Sequence, residues 1–320
     1  PAEVIIIYPE ESGVINNLEV CYYLNEKLMS GDFYWEQIGG PPDYSAPHHV
    51  LLEQDELTKG KKPYIIPNNS PFLTDSVMYN LRFTGKDMAG SELDTIFIQN
   101  VTYDITAPIF FDLFPRNNTT FNSKLSYHVN EILKSGKVSW FVVDEDSVLV
   151  FLFDLQGEDL TRDSHKIMIS ERFPEIEENK SYVIEFTGTD LAGNESESFP
   201  ITNVVYDITP PVFTNAIPST GSYVNSADIS YEINEILQSG SITWDYGWRK
   251  EFIYEFKKVD LSSDKHVLEN VLPHDVLIEN RENNLIIEGI DLAGNYSRLE
   301  FIDIIFDNTP PELVVKYPRS

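Results

Sequence analysis

Apolar and polar positions alternate along short stretches of this chain. Val20, Tyr22 and Leu24 share one side of such a stretch, as do Leu125, Tyr127 and Val129, and again Ile229, Tyr231 and Ile233. A period of two predicts half-buried β-strands, because successive side chains point to opposite faces. The stretch that follows carries a tryptophan each time: Phe33-Tyr34-Trp35, Val138-Ser139-Trp140 and Ile242-Thr243-Trp244. A later set covers 80–83, 182–186 and 285–288, and a last set covers 95–103, 199–206 and 299–306. β-branched and aromatic residues dominate them, and clusters of Gly, Asn, Asp and Pro separate them. No stretch carries the period of an amphipathic helix.

The same pattern occurs three times. Asn25-Glu26-x-Leu28-x-Ser30-Gly31 returns as Asn130-Glu131-Ile132-Leu133-x-Ser135-Gly136 and as Asn234-Glu235-Ile236-Leu237-x-Ser239-Gly240. Asp87-Met88-Ala89-Gly90 returns as Asp190-Leu191-Ala192-Gly193-Asn194 and Asp291-Leu292-Ala293-Gly294-Asn295. Asp104-Ile105-Thr106-Ala107-Pro108 returns as Asp207-Ile208-Thr209-Pro210-Pro211 and Asp307-Asn308-Thr309-Pro310-Pro311. Three motifs in phase identify a tandem array. The repeats divide the 320 residues into 1–106, 107–209 and 210–309, with 310–320 as the start of a fourth, truncated unit. That tail, and an N-terminus without Met, predict an internal segment of a longer chain.

Units of about 100 residues, about seven strands and a tryptophan on the third strand predict an immunoglobulin-like sandwich. The expected fold is all-β: three tandem immunoglobulin-like β-sandwich domains in an elongated array. With Cys21 alone there is no intrachain disulfide, so packing around the tryptophans must hold each core. The middle of each unit varies most, from Gly39-Gly40-Pro41-Pro42 to Glu145-Asp146 to Trp248-Arg249-Lys250-Glu251, and unit-specific binding would sit there. A histidine recurs in this region, His48 or His49, then His165, then His266, and one or two per unit are too few for a zinc site.

The balance is acidic, with 52 Asp and Glu against 23 Lys and Arg and a net charge of −29. Such a chain repels nucleic acid phosphates, and its surface either keeps copies of the chain apart or collects cations. Disorder does not follow, because 42% of residues are hydrophobic, with 19 Phe and 17 Tyr. No apolar run approaches the ~20 residues that span a bilayer.

The acidic motifs gain a meaning from the sandwich topology. The turns that hold Asn-Glu and Asp-Leu-Ala-Gly-Asn lie at the pole where a unit begins, and the linker aspartate of the preceding unit arrives there. This gathers Asp104, Glu131 and Asp190 at the first junction, with Asn130, a further candidate ligand, and Asn194 nearby. At the second it gathers Asp207, Glu235 and Asp291, with Asn234, a further candidate ligand, and Asn295 nearby. Three carboxylates at ~5 Å repel by about 3 kcal/mol per pair at an effective dielectric of ~20. A calcium ion removes that cost, since it takes six to eight oxygens in irregular geometry. Turn and cap chemistry is the other reading of these acids; it accounts for Gly and Asn, and less well for the recurring Glu and linker Asp.

The pair Asp-x-Ala-Gly-Asn and Asp-x-Thr-Pro-Pro resembles the bacterial immunoglobulin-like (Big-type) tandem repeats of cell-surface adhesins and extracellular proteins. The resemblance spans the whole chain. It implies extender or stalk modules outside the cell, many with calcium between domains, and ligand roles for Asp104, Asp190, Asp207 and Asp291. Unit 1 departs from the pattern at Met88 and Ser91, and the first linker has Ala107 for a proline. Catalytic motifs such as Gly-x-Ser-x-Gly or His-Glu-x-x-His are missing from the sequence, and a motif present in every unit argues for architecture rather than an active site. The expected function is a structural stalk whose partners are neighbouring repeats of the same chain. A glycan- or protein-binding sandwich, with Tyr246 and Trp248 as candidate contacts, and a filament subunit joined head to tail are the alternatives.

Overall fold

A computed structural model describes residues 2–67, 70–143, 149–172, 176–247, 251–269, 271, 277–314 and 316. Unit 1 consists of β1 (Val4–Tyr8), β2 (Val14–Ile15), β3 (Val20–Leu24), β4 (Leu28–Gly39), β5 (His48–Leu51), β6 (Gly60–Ile65), β7 (Val77–Asp87) and β8 (Ile96–Tyr103). β1, β3 and β6 form one sheet, and the order β2-β8-β7-β4-β5 forms the other. Units 2 and 3 repeat this division into three and five strands, so the chain is three β-sandwiches in tandem.

Among the described residues each unit has eight strands rather than about seven, because the opening strand divides. β1 pairs antiparallel with β3, and β2 crosses over to pair parallel with β8. Pro9 has no N–H for either ladder, and the turn closed by Gly13 N–H to the Glu10 carbonyl redirects the chain. Phe110–Phe114 with Thr120–Phe121, and Phe213–Ile217 with Tyr223–Val224, divide in the same way.

The alternation read from the sequence places the cores. Trp35, Trp140 and Trp244 are buried between the sheets, opposite Leu81, Ile184 and Leu285. Trp35 meets the edge of Tyr79 at 6.1 Å, and Trp140 meets Tyr182 at 5.5 Å. In unit 3 the buried Asn283 replaces that tyrosine and satisfies its amide on the Ile304 carbonyl at 3.2 Å. Deleting such a buried ring costs about 3–5 kcal/mol.

A second tyrosine ties the sheets to a short 3₁₀ turn. The hydroxyls of Tyr22, Tyr127 and Tyr231 donate to the carbonyls of Glu56, Asp159 and Asp260 at 2.7, 2.8 and 3.4 Å. The strand beside each tyrosine corrects the histidine alignment. His165 and His266 face Tyr127 and Tyr231 across the ladder, but the residue that faces Tyr22 is Lys62. His165 and His266 hydrogen-bond the carbonyls of Thr161 and Ser262, both at 2.8 Å, and Lys62 Nζ bonds the Thr58 hydroxyl. His48 and His49 instead lie on β5, where they bond Asp43 and Asp32.

The middle loop of unit 1 is tied to the sandwich through Asp43. Asp43 is buried; it accepts hydrogen bonds from Tyr79 and from the Ser45 N–H, and pairs with His48. Burial opposes its charge, yet the Tyr79, His48 and Ser45 contacts outweigh burial and lower its pKa to about 2. The corresponding Glu145 and Asp146 of unit 2, and Trp248, Arg249 and Lys250 of unit 3, lie outside the described residues. Tyr246 packs into the core of unit 3 at 3% exposure, which removes it as a ligand contact. No helix among the described residues is long and apolar enough to cross a membrane.

Candidate metal centres at the domain junctions

The first member of each centre belongs to a tight turn. Asp190 Oδ1 accepts the N–H groups of Gly193 and Asn194 at 2.7 and 2.8 Å, and Asp291 Oδ1 accepts those of Gly294 and Asn295 at the same distances. The turn requires glycine, since φ is +98° at Gly193 and +96° at Gly294. Both carboxylates are buried, with 1% and 0% exposure. The second member is the linker aspartate. Asp104, Asp207 and Asp307 each accept the N–H two residues on, from Thr106, Thr209 and Thr309, at 3.0 Å. The third member, Glu131 or Glu235, follows the second long strand of the small sheet at the same pole.

The structure brings these residues together. Carboxylate oxygens of Asp104, Glu131 and Asp190 lie within 4.8 Å of one another, and so do those of Asp207, Glu235 and Asp291. Among the described residues no lysine or arginine pairs with either triad. Glu131, Glu235, Asp104 and Asp207 therefore resist ionisation. Burial, then Asp104, Asp190 and Asp75, raise Glu131 to about 7 against the hydrogen bond from Asn130. Burial, then Asp291 and Asp207, raise Glu235. Asp104 and Asp207 are raised too, first by burial and then by Asp190 and Asp75, or Asp291 and Glu178.

Asn130 and Asn234 stand beside the triads with their amide oxygens turned to the linker. Asn130 Oδ1 accepts the Ile109 N–H and Asn234 Oδ1 the Val212 N–H, both at 2.7 Å. At the opening pole Asn25 does the same for Glu3 at 2.8 Å. Glu26 and Asp87 join no third acid there among the described residues.

Two further groups escaped sequence reasoning. Asp75 accepts the Ile105 N–H at 2.7 Å and the Thr106 hydroxyl at 2.8 Å; Glu178 accepts the Ile208 N–H at 2.8 Å. Glu279 accepts the Asn308 N–H at 3.1 Å and the Thr309 hydroxyl at 2.6 Å. These acids precede the linker aspartate by 29, 29 and 28 residues, a spacing hidden by the change from Asp to Glu in a chain with 52 acids. Asn16 and Asn122 are the other group. They contact Asn194 and Asn295 of the next unit, and their signal was the recurrence of Asn at 16, 122 and 225.

Chemically, each triad is a close set of hard carboxylate oxygen donors with no basic partner among the described residues. Calcium suits that set; zinc, which prefers Cys and His, does not.

No protein-family model matches this chain, and no curated protein matches it. In three dimensions the chain resembles tandem-domain structures, among them repeat regions of bacterial adhesins. The FN1-FN3 domains of chicken CNTN1 align over 94% of this chain and 97% of that one, with 12% identity and a TM-score of 0.36. A tetra-tandem repeat in the extending region of a large adhesion protein aligns over 96% and 75%, with 14% identity and a TM-score of 0.27. A Ca²⁺-stabilized adhesin that helps an Antarctic bacterium reach out and bind ice aligns over 96% and 74%, with 12% identity and a TM-score of 0.29.

Proposed function

We propose that this chain is a stalk segment of an extracellular, surface-attached bacterial protein, and that calcium at each junction stiffens it. The observation that carries the reading is the pair of junction triads, each with three carboxylates and no basic partner among the described residues. Asp104, Glu131 and Asp190 would hold one ion, and Asp207, Glu235 and Asp291 the other, with Asn130 and Asn234 bracing linker and glutamate. Backbone carbonyls and water complete the six to eight oxygens calcium takes. The ion ties together a linker aspartate from one unit and two acids from the next, so it resists bending at the joint. The role is architectural and non-enzymatic, and residues 1–106, 107–209 and 210–309 are its modules. Calorimetric titration of the intact chain with calcium, paired with small-angle scattering in calcium and in chelator, tests the proposal. Two sites are expected, with a particle in calcium at least as extended as in chelator; no heat of binding would remove the proposal.

Binding by unit 1 is a second reading with its own support. Tyr44 is 95% exposed and Phe72 is 98% exposed. Their loops are joined through Tyr79, which donates to Asp43 and accepts the Thr74 N–H at 3.0 Å. A glycan array that loses its signal with Tyr44→Ala and Phe72→Ala would favour it.

A further inference from the structure

We infer that Asn194 and Asn295 are plugs that set the angle between successive sandwiches without help from a cation. Each ends a turn of the following unit and reaches into the preceding one. Asn194 Oδ1 accepts from Asn16 Nδ2 at 3.1 Å, while its own Nδ2 donates to the Asp104 carbonyl at 2.9 Å. At the second junction Asn295 Oδ1 accepts from Asn122 Nδ2 at 2.9 Å, and Asn295 Nδ2 donates to the Asp207 carbonyl at 2.9 Å. The amide thus uses both of its ends, an acceptor toward the body of the preceding unit and a donor toward the linker. Aspartate would set a second acceptor against the linker carbonyl, and serine has one polar atom where two are needed.

Plug and socket are both preset. Asn194 Nδ2 also donates to Asp190 Oδ2, and Asn295 Nδ2 to Asp291 Oδ2, each at 2.8 Å, so the plug is fixed to its own turn. Asn16 and Asn122 directly follow the short strands Val14–Ile15 and Thr120–Phe121. The last carbonyls of those strands, on Ile15 and Phe121, accept the N–H groups of Asp104 and Asp207 at 2.8 and 3.0 Å. One short strand therefore positions the linker and the socket together, and Asp75 or Glu178 holds the linker from the same unit. Asn16 and Asn122 are half-buried, whereas Asn225, at the same place in unit 3, is exposed. The turn of unit 1 ends in Ser91 and has no plug.

The inference deepens the stalk reading and rests on it in one respect, that calcium then locks a joint the amides have already aligned. Spin labels at Lys61→Cys and Lys137→Cys, with the buried Cys21→Ser, report the distance between units 1 and 2 by pulsed electron resonance. In chelator the parent chain is expected to give one narrow distance distribution. Asn16→Ala lies outside both the turn and the triad, so unit 2 folds as before by circular dichroism. It is expected to add a second, broad population, with the undocked-to-docked ratio raised about fivefold for the hydrogen bond lost. Asn194→Ser, which copies unit 1, is expected to do the same or more. A parent chain already as broad as the variants in chelator, or variants as narrow as the parent, would overturn the inference. A narrow parent and broad variants that calcium leaves unmoved would uphold the plug and count against the calcium lock.

Discussion

Replacing Glu131 with glutamine keeps the shape of the first junction and removes one charge of three. Glu131 shares its site with Asp104 and Asp190 at separations below 4.8 Å. Each like pair at ~5 Å repels by about 3 kcal/mol at an effective dielectric of ~20, and water and counterions around a half-buried group reduce the net relief to about 1 kcal/mol. In chelator at pH 7.5, Glu131→Gln is therefore expected to melt about 4–8 °C higher than the parent in the transition that reports this joint. In calcium the order reverses, because the variant has lost a ligand; at a thousandfold excess over Kd a bound ion stabilises by about 4 kcal/mol, and the variant forgoes much of it. The pH dependence has a definite sign. A carboxyl raised from 4.5 to about 7 holds more protons folded than unfolded between those values. The calcium-free junction is thus most stable below about pH 4.5 and loses that stability as pH rises through about 7. Calcium inverts the trend, since it binds the ionised form. Differential scanning calorimetry at pH 5 and 7.5, with calcium and with chelator, measures all four corners. A variant no more stable than the parent in chelator, together with an undiminished calcium increment, would refute the reasoning.

Three other outcomes follow from the same contacts. Tyr127→Phe removes a 2.8 Å hydrogen bond and is expected to destabilise its unit by about 1 kcal/mol, while Tyr231→Phe, whose bond is 3.4 Å long, costs less; urea unfolding ranks the two. Asp43→Asn is expected to cost unit 1 about 1–3 kcal/mol at pH 7. The parent keeps that contribution above about pH 3.8 and loses it as pH falls through about 2, so parent and variant converge in acid by circular dichroism. Gly193→Ala forces a Cβ onto a residue at φ +98° and is expected to cost about 1–3 kcal/mol by thermal melting, with its nearest new neighbour, Asn16 Nδ2, at an ordinary 3.6 Å.

Local information lay open in the chain. Alternation at Val20, Tyr22 and Leu24, and at its two echoes, determined strands and their inward faces, because the period of a strand is a property of the backbone alone. Motifs in phase determined the number of units, and sandwich topology alone carries Asp104, Glu131 and Asp190 to one pole. Tertiary structure decided what depends on approach between segments distant along the chain. It divided the opening strand at Pro9 and its counterparts, and it put Lys62 rather than His48 or His49 across from Tyr22. It also turned the oxygen of Asn130 toward Ile109 and brought Asn16 against Asn194 across 178 residues. Periodicity records which face of a strand is dry, but it holds no record of which polar atoms meet where two sandwiches touch. That choice is made by the relative placement of two rigid bodies, and only the folded joint contains it.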